Sequence, residues 1–154
     1  MRPSSSPKKF LFILLIILGA SNILIFYTLQ SRTISPHLSV SFLDIGQGDA
    51  ILIETPSQRR ILIDAGPNKK ILQELGTHLQ YTDRDIDIVI ATHPDTDHIG
   101  GLPDVFERYD IDYYLEPAIT DGSPIDTLVE EYAHQESIFI QAAQNQLFNL
   151  GDGV

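Results

Sequence analysis

No cysteine occurs anywhere in these 154 residues. That excludes disulfide bonds, thiolate zinc sites and a thiol nucleophile, and it is compatible with an extracytoplasmic setting without requiring one. Acidic residues are missing from one end only. Residues 1–34 carry Arg2, Lys8, Lys9 and Arg32 and no Asp or Glu, while all 21 acids lie beyond position 40. Repeats and low-complexity tracts are absent as well. The formal net charge of −11 is therefore concentrated on the rest of the chain. An anionic surface of that kind repels nucleic acid and anionic lipid. A polyanionic substrate then has to be held by metal or by a local basic patch. Arg59-Arg60 and Lys69-Lys70 are the candidates, although such short pairs read first as solvated loop charge.

What the basic end does have is a long apolar run, residues 10–29, FLFILLIILGASNILIFYTL. About twenty helical residues span a hydrocarbon core of about 30 Å, and helix satisfies its own backbone there. Lys8 and Lys9 flank the run before it begins, and Arg32 alone follows it closely. The positive-inside bias places residues 1–9 in the cytoplasm and the remainder outside, as a single-pass protein of the cell membrane. A cleaved signal peptide is the competing reading, with Gly19-Ala20-Ser21 as small residues. The apolar run continues through residues 23–27, which a signal peptide does not need. Residues 30–37 read as a polar linker, and a globular domain is expected over 38–154.

Within that domain, residues 38–43, 50–54 and 60–63 read as strands of a meander, with a glycine-rich turn at 44–49. Asn68 is placed to cap a helix reaching Leu79, with Ile71, Leu72 and Leu75 on one face. Residues 86–91 form a buried strand. A short helix is expected from Gly101 to Arg108 and a strand over 111–115. Ser123-Pro124 reads as N-cap and first residue of a helix reaching His134. Residues 138–142 and 146–150 are expected strands. Meander strands followed by alternating helices indicate a layered α/β or α+β sandwich.

The chemistry concentrates after the buried strand, in Ala91-Thr92-His93-Pro94-Asp95-Thr96-Asp97-His98-Ile99-Gly100-Gly101. Two imidazoles and two carboxylates within six residues are the usual donors for Zn²⁺, Mn²⁺ or Fe²⁺. His93 and Asp95 can point one way while Asp97 and His98 converge on a second position, which suits two metals about 3.5–4 Å apart. Pro94 stiffens the loop. Gly100-Gly101 lets the backbone turn tightly and the next helix approach.

This loop resembles the His-x-His-x-Asp-His signature of the metallo-β-lactamase superfamily. Together with Ser41-Phe42-Leu43-Asp44-Ile45-Gly46-Gln47-Gly48-Asp49-Ala50 and Ile61-Leu62-Ile63-Asp64-Ala65-Gly66, it is similar to the metallo-hydrolase domain of ComEC-type DNA-uptake proteins. The resemblance runs over residues 38–154 and thins beyond Leu115. It implies the αββα sandwich of that superfamily, here its N-terminal half, preceded by one transmembrane helix. It implies His93, Asp95, Asp97 and His98 as ligands of one or two divalent ions. Asp97 also matches the residue that orients the attacking water. Asp64 matches a residue supporting the metal loop from behind, and Asp44, Gln47 and Asp49 match the glycine turn and are the candidates to line the site. Asp95 stands where the superfamily usually has His. A carboxylate there adds oxygen and negative charge, favouring Mn²⁺ over Zn²⁺ and phosphodiester over β-lactam chemistry.

The superfamily's later ligands, a further His, a bridging Asp and a final His, have no equivalents here. His37, His78 and His134 read as linker and helix-surface residues. The domain is therefore expected to be a truncated piece with an exposed apolar sheet face. Three functions stay open. The first is a membrane-anchored phosphodiesterase or nuclease linked to DNA uptake, with nucleic acid as partner and no small organic cofactor. The second is a hydrolase of small esters, lactones or thioesters on the same scaffold. The third is a catalytically incomplete, membrane-tethered binding module.

Overall fold

A computed structural model describes residues 7–30, 37–119, 121–151 and 153. The chain divides into two compact units, Met1–Ile34 and Ser35–Val154. Described residues of the first form one helix, α1 (Pro7–Gln30). Its stretch Pro7–Tyr27 has a mean hydropathy of 2.5 and is long and apolar enough to cross a membrane. Large apolar side chains surround it on all sides, from Phe10 to Tyr27, so it has no single stripe to lay on a protein core. Residues 1–6 and most of the expected linker, 31–36, lie outside the described residues.

The second unit is a six-stranded sheet with strands in chain order. The strands are β1 (Ser39–Phe42), β2 (Ile51–Glu54), β3 (Arg60–Ile63), β4 (Asp85–Ile90), β5 (Asp110–Glu116) and β6 (Ile138–Gln141). β1, β2 and β3 pair antiparallel, as the meander reading expects. From β3 onward the pairing is parallel. Parallel neighbours need a crossover, and helices supply each one. α2 (Lys70–His78) links β3 to β4, α3 (Thr96–Ile99) and α4 (Leu102–Arg108) link β4 to β5, and α5 (Pro124–Glu136) links β5 to β6.

Alternation along the strands sorts the side chains into two faces. Leu62, Val89, Tyr114 and Phe139 lie side by side across β3 to β6. They share one core with Ile71 and Leu75 of α2, Leu102, Val105 and Phe106 of α4, and Val129 and Ala133 of α5. Burying a side chain of this size contributes about 1.5–3 kcal/mol, so this face carries most of the stability. Ile61, Ile88 and Leu115 mark the other face, joined by Ile53, Ile63, Ile90 and Ile140. Helices therefore cover one face of one sheet, an αβ half of the αββα arrangement.

Local signals set the element ends. The Asn68 side chain accepts a hydrogen bond from the Lys70 N–H at 2.9 Å one residue ahead of α2's N-cap position, which is Lys69 and has no side-chain cap, so the expected Asn68 cap is displaced by one residue. Ser123 caps α5 by accepting from the Asp126 N–H at 3.2 Å, with Pro124 as first helical residue. Two other expectations need correction. Residues 146–150 form no strand. Phe148 and Leu150 instead lay their side chains on the second sheet face, a contact that needs no ladder. Residues 96–99, read as open loop, close into the helical turn α3, because the Asp95 carbonyl accepts from His98 N–H at 2.8 Å and Ile99 N–H at 3.1 Å.

β3 and β4 run parallel, so Asp64, which follows β3, and Thr92-His93, which follow β4, emerge at the same edge of the sheet. The carboxyl ends of parallel strands are where such sheets place their ligands.

Candidate metal centre

Asp64 anchors the centre. Its side chain is 3% exposed, and its φ of +57° is a left-handed conformation that Asp tolerates better than most residues. Its N–H donates to the Ile90 carbonyl at 2.9 Å, which fixes the residue against the end of β4. Oδ1 accepts from the Thr92 N–H at 2.8 Å. Oδ2 accepts from the Thr92 hydroxyl at 2.6 Å and from His98 Nδ1 at 2.8 Å.

For neutral imidazoles these contacts select one tautomer at each ring. His98 donates its Nδ1–H to a carboxylate oxygen, leaving Nε2 with a free lone pair. Thr92 has given its single hydroxyl proton to Asp64. The contact between Thr92 Oγ1 and His93 Nδ1, at 3.0 Å, therefore runs from the His93 Nδ1–H to the hydroxyl oxygen. His93 Nε2 is then also a lone-pair donor, and it faces Asp95 Oδ2 at 3.3 Å. An imidazole held through Nδ1 by a carboxylate or hydroxyl is the usual posture of a metal-ligating histidine. The donor set thus fits a divalent cation.

The structure brings four of the expected residues together and leaves others apart. The His93 and His98 rings lie with centroids 3.7 Å apart, tilted by 50°. His98, which the sequence groups with Asp97, thus stands against His93. The two rings differ in burial, His98 at 13% and His93 at 42% exposed. Asp95 is 64% exposed and also N-caps α3 by position. Asp97 sits in the first turn of α3, half-buried. Among the described residues no hydrogen bond or ion pair ties its carboxylate to Asp64, His93, Asp95 or His98.

The glycine turn lies directly on α3. A Cβ at Gly48, whose φ is +79°, would stand 1.7 Å from the Asp97 carbonyl oxygen. The Asp49 carbonyl accepts from the Gly66 N–H at 3.1 Å, binding the turn to the end of β3. Asp44 and Gln47 are exposed, as is the Asp49 side chain, and Asp44 pairs with Lys70 at 3.4 Å. Gly100 and Gly101 serve close approach, not a tight turn. Both have ordinary right-handed backbone angles, and a Cβ at either would stand 2.4 Å from the carbonyl oxygen of Pro67 or Ala65.

Two features escape a reading of the sequence. Thr92 is one, since only the fold shows that its hydroxyl connects His93 to Asp64. The other is an acidic group past the end of β5. Glu116, Asp126 and Glu130 place possible ligand atoms within 4.8 Å of one another. Asp126 is buried and accepts from the Asp121 and Gly122 N–H groups, both at 3.2 Å. Burial raises the Glu116 carboxyl above the usual carboxylate range. A hydrogen bond from Tyr114, at 3.0 Å, opposes that rise, and Glu130 and Asp126 add to it. Burial also pushes the Tyr114 phenol far up, so it stays a donor. Glu116, Asp126 and His93 border one small cleft.

Fold edge, glycine turn and histidine pair together define a class. The chain belongs to the metallo-beta-lactamase superfamily, whose family model matches residues 43–146. Among curated relatives, it is 28% identical to ComE operon protein 3 of Bacillus subtilis (strain 168), over 66% of this chain and 15% of that protein. It is 31% identical to Exodeoxyribonuclease WalJ of Streptococcus pneumoniae, over 44% of this chain and 24% of that one. It therefore spans less than a quarter of either relative's length. A solved structure, Zn(2+)-bound PqqB from Methylobacterium extorquens, aligns with a TM-score of 0.48 and 21% identity, over 67% of this chain and 38% of that chain.

Proposed function

We propose that this chain is a membrane-anchored, metal-dependent phosphodiesterase that cuts DNA outside the cytoplasmic membrane, in the service of DNA uptake. The observation that carries the reading is the hydrogen-bond network centred on Asp64. It holds both imidazoles through Nδ1 at the carboxyl edge of the sheet, with His93 Nε2 facing Asp95 Oδ2 at 3.3 Å. His93, Asp95, Asp97 and His98 are the residues to hold one or two divalent ions. Such ions supply charge neutralisation at phosphoryl oxygens and lower the pKa of water. Asp95 supports Mn²⁺ over Zn²⁺, because a carboxylate is a harder donor than imidazole.

The protein's own contribution is positional. Asp64 and Thr92 keep the histidines in the ligating tautomer, and Asp97, in the first turn of α3, orients water. Names of relatives support the substrate class: one is an exodeoxyribonuclease and one a ComE operon protein. α1 serves as the anchor. Lys8 and Lys9 before it set the N-terminus in the cytoplasm and the sheet domain outside.

The test is Mn²⁺-dependent cleavage of a labelled DNA strand by the full-length protein and its Asp97→Ala variant. The variant is expected to lose cleavage and keep its fold. Full activity in the variant overturns the mechanism. Turnover of a small ester or lactone with no cut DNA selects the alternative hydrolase. Stoichiometric metal binding with no turnover at all selects the tethered binding module.

A further inference from the structure

The six cations beyond residue 37 are sorted by the fold into two groups. Four arginines cluster where β3 and β4 begin. Arg59 pairs with Asp87, and Arg60 with Asp83 at 2.5 Å. Arg84 donates to the Arg108 carbonyl at 3.2 Å, and Arg108 donates to the Tyr81 carbonyl at 2.8 Å. All four are therefore engaged at the end of the sheet opposite the metal centre. Lys69 and Lys70 follow the carboxyl end of β3, on the same edge as His93.

Helix stability does not account for that pair. Positive side chains at the start of a helix oppose its macrodipole, and acids are the stabilising choice there. Lys69 is exposed, and Lys70 is 37% exposed and, among the described residues, its amine is held by Asp44 at 3.4 Å, itself 87% exposed. An exposed pair of that length is weak and easily exchanged. Lys70 Nζ also stands 4.0 Å from the position a Cβ would take at Gly46. Two residues on, Gly48 rests on Asp97, its own virtual Cβ 3.1 Å from the Asp97 Cβ. Chain geometry then bounds the separation of Lys70 Nζ from the Asp97 Cβ at about 18 Å, a span that a single strand covers in a few nucleotides.

We infer that Lys69 and Lys70 bind backbone phosphates of the DNA strand beside the one being cut. They form the local basic patch that lets an otherwise acidic domain take a polyanion. The inference rests on the phosphodiesterase reading for its substrate and deepens it by naming the residues that seat the strand. Point charges on phosphates hold register without reading sequence. Asp44 occupies the lysine while no phosphate is present and leaves it when one arrives.

The experiment measures binding of a fluorescent single-stranded DNA to the full-length protein by anisotropy, with chelator present, across a salt series. Chelation separates seating from hydrolysis, so the result stands whether or not the protein cuts DNA. Each phosphate contact on a single strand contributes about 0.7 to the slope of log K against log salt. Lys69→Ala/Lys70→Ala is expected to lower the slope by about 1.4 and weaken binding about tenfold at low salt. Lys→Arg at both positions is expected to restore both quantities, and Asp44→Asn to tighten binding about twofold. Arg59→Ala, at the far end of the sheet, should leave the slope unchanged. An unchanged slope in the double lysine variant, or an equal loss in Arg59→Ala, overturns the inference. In the cleavage assay, a raised KM with unchanged kcat in the double variant agrees with the binding result. Absent cleavage in the parent instead bears on the phosphodiesterase reading alone.

Discussion

His98 Nδ1 lies 2.8 Å from Asp64 Oδ2, across 34 residues of sequence. The same oxygen accepts the Thr92 hydroxyl, which in turn accepts from His93. One buried carboxylate thus contacts Nδ1 of both histidines, one directly and one through a hydroxyl, which for neutral rings selects the tautomer of each. Asp64→Asn keeps a side chain that tolerates a left-handed backbone but loses one acceptor oxygen. It is expected to fold and to bind Mn²⁺ or Zn²⁺ about 10–100-fold more weakly in calorimetry. Asp64→Ala adds a backbone cost of about 1–2 kcal/mol, read as a lower unfolding midpoint. Parental affinity in the Asn variant would show that the carboxylate does not orient the ligands.

Thr92 separates hydroxyl from shape. Thr92→Ser retains the bridge, while Thr92→Val keeps the volume and removes it. The Val variant is expected to lose about tenfold in metal affinity and to show a mixture of His93 tautomers by ¹⁵N NMR of the imidazole. The Ser variant should match the parent. Equal behaviour of the two variants would remove Thr92 from the network.

Gly48→Ala places a methyl group 1.7 Å from the Asp97 carbonyl oxygen, in a backbone of φ +79°. The conformation alone costs about 1–3 kcal/mol. Gly46→Ala shares a positive φ, +88°, yet its Cβ meets nothing closer than the Lys70 amine at 4.0 Å. Denaturant unfolding should therefore rank Gly48→Ala well below Gly46→Ala, with metal binding lost in the first and kept in the second. Equal losses would place the cost in the backbone angle and not in the seat beneath α3.

Glu116 gives the domain a pH dependence of known sign. Its folded value is raised, chiefly by burial, so the native state holds the proton more tightly than the unfolded chain. That contribution is complete below the ordinary value of 4.5 and is lost as pH rises through the folded value. Glu116→Gln removes the loss and still accepts from Tyr114. At pH 7 the variant should exceed the parent in stability by under about 1 kcal/mol, given the partial exposure of the group, and the two should converge near pH 4. Urea titrations at several pH values check this. Parallel curves for the two proteins would show that Glu116 stays solvated.

Much of this molecule is written locally. The apolar strands Arg60–Ile63 and Asp85–Ile90, the cap at Ser123, and the apolar run that becomes α1 involve neighbours within a few residues. Each is legible because periodicity and capping act over a turn or a strand. Residues 146–150 misled for the same reason. Their apolar pattern is real, but a strand needs a ladder partner as well as a face to lie on, and only the face is supplied.

The sequence by itself determined the histidine and aspartate motif, the glycines that let backbones touch, the membrane-length helix and the separation of charge along the chain. These depend on residue identity and short-range spacing. Tertiary structure alone decided that β3 and β4 run parallel and bring Asp64 beneath His98. It alone made Thr92 a bridge, and gathered Glu116, Asp126 and Glu130 from β5 and α5. It alone left both lysines on the edge that carries His93 and the arginines on the other. Those outcomes hang on hydrogen bonds and packing between segments tens of residues apart, which local pattern does not encode.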